Sequence, residues 1–245
     1  MNKTSMGLTA VIAAVVTAGM FAGSGRVAAQ GNGSCDVALP SLAELRSALR
    51  SSPNVGGDSG GLFHGSKMWA AIVNRSGAMC GAVVSTDDPT GVWPGSQEIA
   101  KAKAYTANAF SVDELALSTA MLYTFTQPGH SLWSLGQSNL LNATQLQVPG
   151  GNSDKNQVEG GLIFFGGGVP LYRSGHIVGG LGISGDTSCT DHEIAKRVRD
   201  MLGMNPPGGG LVDDIHYEAS VFAHPMCLNT FKNGTHVGEE KTASY

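Results

Sequence analysis

The stretch MWAAIVNRSGAMCGAVVS, residues 68–85, decides the fold. Two apolar runs, 68–74 and 78–85, flank Arg75-Ser76-Gly77. Runs of this length around a short turn containing glycine read as a β-hairpin. A hairpin imposes antiparallel pairing. The loops on either side are marked by composition: SSPNVGGDSGG (51–61) before it and TDDPTGVWPGS (86–96) after it.

Working outward, SLAELRSALR (41–50) predicts a short helix with Leu42, Leu45 and Leu49 on one face. Ser96 is placed to cap a helix over SQEIAKAKAYTANAF, ending near Phe110. Ser111 and Glu114 form a capping-box pattern that predicts a second helix to about Tyr123. A long polar connection, 127–157, follows; loops of that length are often functional. GLIFF, VPLY and HIVGGLGIS then read as strands. Thr190 and Glu193 make another capping-box pattern, opening a helix with Ile194, Val198 and Met201 as its buried stripe. The order β-β, α-α, β-β, α predicts an α+β layer architecture with helices covering one face of an antiparallel sheet.

Between the later strands stands FFGGGVPLYRSG, 164–175. Three glycines after an apolar run raise the question of a phosphate loop. Such a loop opens a helix whose N-terminal amides face the anion. Here Val169-Pro170 and a strand follow, with no Walker lysine. The glycines are therefore expected to serve a bend or a close approach of backbone.

Composition narrows the class. The 245 residues carry a net charge of −4, only 14% charged residues and 35 glycines. No basic patch stands out, which argues against nucleic acid. Residues 1–29 show Lys3, an apolar stretch and Val27-Ala28-Ala29, the pattern of a signal peptide cleaved before Gln30. Export implies a periplasmic or secreted protein with no membrane partner after signal removal. No later run reaches the roughly 20 apolar residues of a span. The expected segments are 1–29 signal peptide, 30–61 N-terminal segment with a short helix, 62–204 main domain, and 205–245 linker and tail. Cys35, Cys80, Cys189 and Cys227 predict at least one disulfide in an oxidising compartment. The sequence leaves three connectivities open; Cys35 and Cys227, in the two flanking segments, are the nominated pair.

Three stretches together resemble the GlcG/HbpS-like family of heme-binding proteins: MWAAIVNRSGAMCGAVVSTDDP, WPGSQEIAKAKAYTANAF and FFGGGVPLYRSGHIVGGLGISGDTSCTDHEIA, spanning about residues 66–203. The resemblance implies a profilin-like antiparallel sheet flanked by helices, heme as cofactor, and a homo-oligomer. In that family the segment matching Lys103, Tyr105 and Thr106 lines the heme site, and Thr106 becomes a candidate iron ligand. The residues themselves add others. Lys103 and Thr106 share a helix face, though a half-buried amphipathic helix with a solvated lysine fits the same pattern. His192 beside Asp191 lies near a helix start, where a neutral imidazole is favoured, and neutral imidazole binds metals. The competing reading of His192 is an exposed first-turn residue. His130 follows Pro128-Gly129 in the long loop. His64, His176 and His224 show no partner at metal-ligand spacing, and Asp213, Asp214 and His216 read as a polar tail.

No G-x-S-x-G is present, and SGDTSC lacks the strand–elbow–helix order, so no catalytic residue is nominated. The leading expectation is an exported heme-binding protein with slow heme-degrading activity. The alternatives are a non-catalytic sensory or accessory module for another small molecule or partner protein, and a catabolic-pathway enzyme on the same fold.

Overall fold

A computed structural model describes residues 35, 38–141, 158–227, 231–232 and 235–236. All lie in one compact unit. The signal-peptide expectation over 1–29 falls outside the described residues.

The hairpin forms as expected. Strand β1 (Trp69–Asn74) pairs antiparallel with β2 (Met79–Val84), Trp69 opposite Val84. Asn74 Oδ1 accepts the Ala78 N–H at 3.0 Å, and Gly77 takes φ +85° in the turn. Strands β3 (Gly168–Arg173) and β4 (His176–Ser184) form the second hairpin. β1 and β4 pair antiparallel, giving the order β2-β1-β4-β3. This is the α+β, profilin-like sheet with flanking helices. Two two-residue strands, β5 (Phe231–Lys232) and β6 (Thr235–His236), pair separately.

Helices cover both faces of the sheet, not one. Every residue of β1 is buried, so the strand has no polar face to leave in water. Ala70 and Ile72 pack with α1 (Leu42–Ser51) and α4 (Ser188–Met201) through Leu45, Leu49, Ile194 and Val198. Trp69, Ala71 and Val73 face the other way, onto α2 (Gly95–Phe110) through Ala100 and Ala104. A Cβ on Gly180 or Gly182 would collide with the Ala104 or Ala100 carbonyl. The glycines of β4 thus let the α2 backbone lie directly on the sheet.

Local expectations fail where a polar group finds a partner elsewhere. The predicted helix 111–123 is absent. Asp113 accepts the Ile177 N–H at 2.8 Å from β4, and Ser111 Oγ accepts the Leu117 N–H at 2.9 Å. Short 3₁₀ turns, Ala120–Leu122 and Thr124–Thr126, replace the helix. GLIFF makes no strand, because the Leu162 and Ile163 amides donate to Asn139 Oδ1 and Thr106 Oγ1. Helix α2 has no side-chain cap from Ser96. Helix α4 starts earlier than the Thr190 pattern suggests. Thr187 is its cap, accepting from the Thr190 N–H, and Met201 lies at its exposed end. In the long connection, Trp133–Ser138 forms a short helix, α3.

The cysteines pair Cys35–Cys80 and Cys189–Cys227, so the nominated Cys35–Cys227 clip is corrected. Each flanking segment is tied to the domain beside it rather than to the other.

Candidate functional site

Two places in the fold collect the polar groups that could serve a ligand. One is a closed corner where the end of β4, the three glycines and the first turns of α4 meet. The other is an open cleft along the outer edge of β2.

At the corner, Lys103 reaches from α2 past the end of β4. Its Nζ donates to Ile183 O at 3.0 Å and to Asp191 Oδ2 at 2.7 Å. Lysine and aspartate are 0% and 2% exposed. Burial pushes the Lys103 ammonium down and the Asp191 carboxyl up to about 6, while each charge opposes the shift in the other. Gly167, at φ +118°, makes room for this pair: a Cβ there would sit 2.5 Å from Ile183 O and 2.6 Å from Lys103 Nζ. The phosphate-loop question is answered by where the amides point. Gly166 N–H donates to His224 Nε2 at 3.1 Å, and Gly168 N–H to Thr119 Oγ1 at 2.8 Å. The loop does abut the first turn of α4, but it meets the Ser188 carbonyl and the Asp191 and His192 side chains rather than free amides.

Thr106 is fully buried. Its hydroxyl donates to Ala102 O at 2.7 Å and accepts the Ile163 N–H at 3.0 Å. Tyr105 is half-buried between two apolar clusters. His130 is half-buried in a turn, its N–H donating to Gln127 O. His192 is not an exposed first-turn residue but 1% exposed. Neither ring nitrogen has a hydrogen-bond partner; Asp214 Oδ1 stands 3.5 Å from Nε2. Burial holds this imidazole below its ordinary pKa, with Asp214 opposing.

The supposed polar tail is a strap held down by a few buried residues, Asp213, Ala223, His224 and Cys227 among them. Asp213 makes a two-point contact with Arg199, at 2.6 and 2.7 Å, and both residues are 0% exposed. Asp214 holds Lys196 at 2.7 Å. Thr124 Oγ1 donates to Ala223 O, and the Tyr123 and His224 rings lie 5.4 Å apart. His224, read as unpartnered, lies within 4.8 Å of both Cys189 and Cys227 sulfurs. The H-x-x-C spacing of His224 and Cys227 was the available signal. Nothing in the sequence marked the third member, Cys189, as their neighbour.

The cleft has a volume of about 860 Å³. Leu42, Trp69, Ala82 and Val84 give it mostly apolar walls, with Arg46 from α1 and Gln97 from α2. The Arg46 side chain is 41% exposed and is steadied by bonds to Val84 O and Thr86 O. Trp69 Nε1 and Gln97 Nε2, on lining residues, are buried donors without a hydrogen-bond partner. Buried donors are rarely left unpaired. A mostly apolar slot with an exposed cation on its wall suits a flat apolar ligand that carries an anionic group at its edge. Among the described residues, no histidine, cysteine, methionine or tyrosine lines it.

Residues 62–200 match the family model "Haem degrading protein HbpS-like". The chain belongs to the HbpS-like family. Over 101 residues it is 33% identical to the corrinoid adenosyltransferases PduO of Citrobacter freundii and of Salmonella typhimurium, a match covering 41% of this chain and 23% of theirs. Among solved structures, a PduOC:heme complex is 26% identical with TM-score 0.49, covering 69% of this chain and 98% of that one. A double mutant of HbpS from Streptomyces reticuli is 23% identical with TM-score 0.42, covering 72% and 96%. No helix among the described residues is long and apolar enough to cross a membrane.

Proposed function

We propose that the chain binds heme in the cleft beside β2. Membership of the HbpS-like family favours heme over other ligands. The observation that carries the placement is the mostly apolar 860 Å³ cavity with the exposed Arg46 guanidinium on its wall. The porphyrin body matches the walls. The exposed Arg46 guanidinium matches a propionate, since charge-assisted bonds to a carboxylate are the strong ones.

The closed corner fits heme less well. Lys103 is spent on Asp191, and the Thr106 hydroxyl is spent on backbone, so neither faces an open slot. His192 has free nitrogens but is covered by the strap. A Thr106–His192 iron site therefore requires the strap to lift. Among the described residues the cleft walls supply no axial ligand, so binding there rests on apolar contact and the propionates. Slow degradation of the bound heme is a further reading in keeping with the family's name. Export rests on the pattern of residues 1–29 and is consistent with the two disulfides. A homo-oligomer is proposed from the resemblance alone and is read by light scattering.

Hemin titration followed at the Soret band tests the proposal. Saturable binding by the native protein is expected, weakened about tenfold or more by Arg46→Ala or by Ala82→Trp, which fills the cleft. His192→Ala is expected to leave affinity unchanged. No Soret shift, or loss of binding in His192→Ala alone, overturns the cleft assignment.

A further inference from the structure

Cys189, His224 and Cys227 are the one group of three potential metal ligands that stands out among the described residues, with all ligand atoms within 4.8 Å of one another. From this grouping we propose a second site, independent of heme: once the Cys189–Cys227 bond is reduced, the two thiolates and the His224 imidazole bind a soft or borderline cation of the Zn²⁺ class.

The surroundings fit that chemistry. His224 Nε2 accepts the Gly166 N–H at 3.1 Å, so the ring proton sits on Nδ1, which donates to Pro225 O at 2.7 Å. A backbone carbonyl on one ring nitrogen is the usual way to fix the other as a metal ligand. The sulfurs stand among donors. The Cys189 N–H donates to Cys227 Sγ at 3.2 Å, the Tyr217 hydroxyl donates to Cys189 Sγ at 3.1 Å, and Ser188 Oγ lies 3.2 Å from Cys227 Sγ. Cys189 is the second residue of α4, where the positive helix end favours thiolate. Two thiolates and one imidazole leave a fourth tetrahedral position for water. Cys35 and Cys80, by contrast, sit with the apolar core beside Leu45 and Leu49.

The chemistry is a two-electron exchange followed by ligation. A thiol or phosphine reductant supplies two electrons, the S–S bond breaks, and each sulfur takes a proton. The reductant leaves as its disulfide or, with oxygen from water, as its phosphine oxide. Binding of the dication then displaces the two thiol protons to solvent. Reduction also unfastens the end of the strap from α4, which opens the way in. On binding, His224 Nε2 exchanges the Gly166 N–H for the cation.

Co²⁺ is the probe, because its spectrum reports the ligand set. The Cys35→Ser/Cys80→Ser protein, reduced with a phosphine, is expected to take one Co²⁺ per chain. A thiolate-to-cobalt charge-transfer band and tetrahedral visible absorption are expected, both bleached by Zn²⁺. The unreduced protein is expected to show neither. Cys189→Ser/Cys227→Ser is expected to lose the band, and His224→Gln to bind Co²⁺ about tenfold more weakly or worse. If Cys35→Ser/Cys80→Ser does not fold, reduced native protein compared with Cys189→Ser/Cys227→Ser gives the same contrast. The proposal is overturned by absence of the band after reduction or by its persistence in Cys189→Ser/Cys227→Ser. Loss of the folded far-UV spectrum on reduction with metal present overturns it too. Hemin affinity is not part of this readout, so either proposal can fail alone.

Discussion

The α2 face of the sheet and the α4 end of the molecule exclude water by opposite means. Under α2, Ala100 and Ala104 lie over Gly180 and Gly182, and backbone nearly meets backbone because side chains are missing. At the α4 end, Lys103, Asp191, Arg199 and Asp213 are carried into the interior whole, each with a charged partner. The first region tolerates no added atom. The second tolerates no removed partner, because breaking a buried pair strands a charge.

That contrast is tested most severely at Asp213. Asp213→Ala leaves Arg199 buried and unpaired, and chemical denaturation is expected to show a loss of about 3–5 kcal/mol. Replacing both residues by apolar side chains of similar size, Arg199→Met/Asp213→Leu, is expected to restore most of it. Equal loss in single and double variants would mean that packing, not pairing, holds this end together. On the other face, Gly182→Val is expected to destabilise by about 3 kcal/mol, since it meets the α2 backbone rather than a movable side chain. A neutral Gly182→Val would break the account of close packing.

pH separates the regions further. Burial lowers the His224 pKa from 6.5 to about 4. A depressed folded value means that the unfolded chain binds the proton first. His224 therefore contributes stability that is complete above pH 6.5 and is lost as pH falls toward 4, at about 1.4 kcal/mol per pH unit. Thermal melts of native protein and His224→Gln between pH 7 and 4 are expected to converge on acidification. Parallel curves would remove His224 from the acid response. His192, also depressed by burial, acts in the same direction.

The smallest effect is expected at Thr106→Val. It removes the acceptor for the partly buried Ile163 N–H, which costs about 1–2 kcal/mol. Hemin affinity is expected to stay unchanged if the cleft beside β2 is the binding place. Weaker binding at constant stability would move the heme toward α2 and bring the strap into play.

The candidate site was only partly legible in the chain. Lys103, Thr106 and His192 stood out as residue types on helices, and all three prove to be buried at or near one corner. What they do there was not readable, because Asp191 and the 163 amide reach them through folding rather than through spacing. The cleft left no mark at all. Its walls include Trp69 and Gln97, and its cation is Arg46, drawn from three elements that are unremarkable alone.

By itself the sequence determined the two hairpins, the antiparallel sheet and helices α1, α2 and α4, because each is encoded within a dozen or so neighbouring residues. Turn chemistry and apolar periodicity act locally and need no partner. Only the tertiary structure decided that helices flank both faces, that Cys189 pairs with Cys227, that the C-terminal segment is a strap, and that three glycines shelter an ion pair. Those outcomes depend on which distant groups meet, and a buried polar group is satisfied by whatever the fold brings within about 3 Å of it.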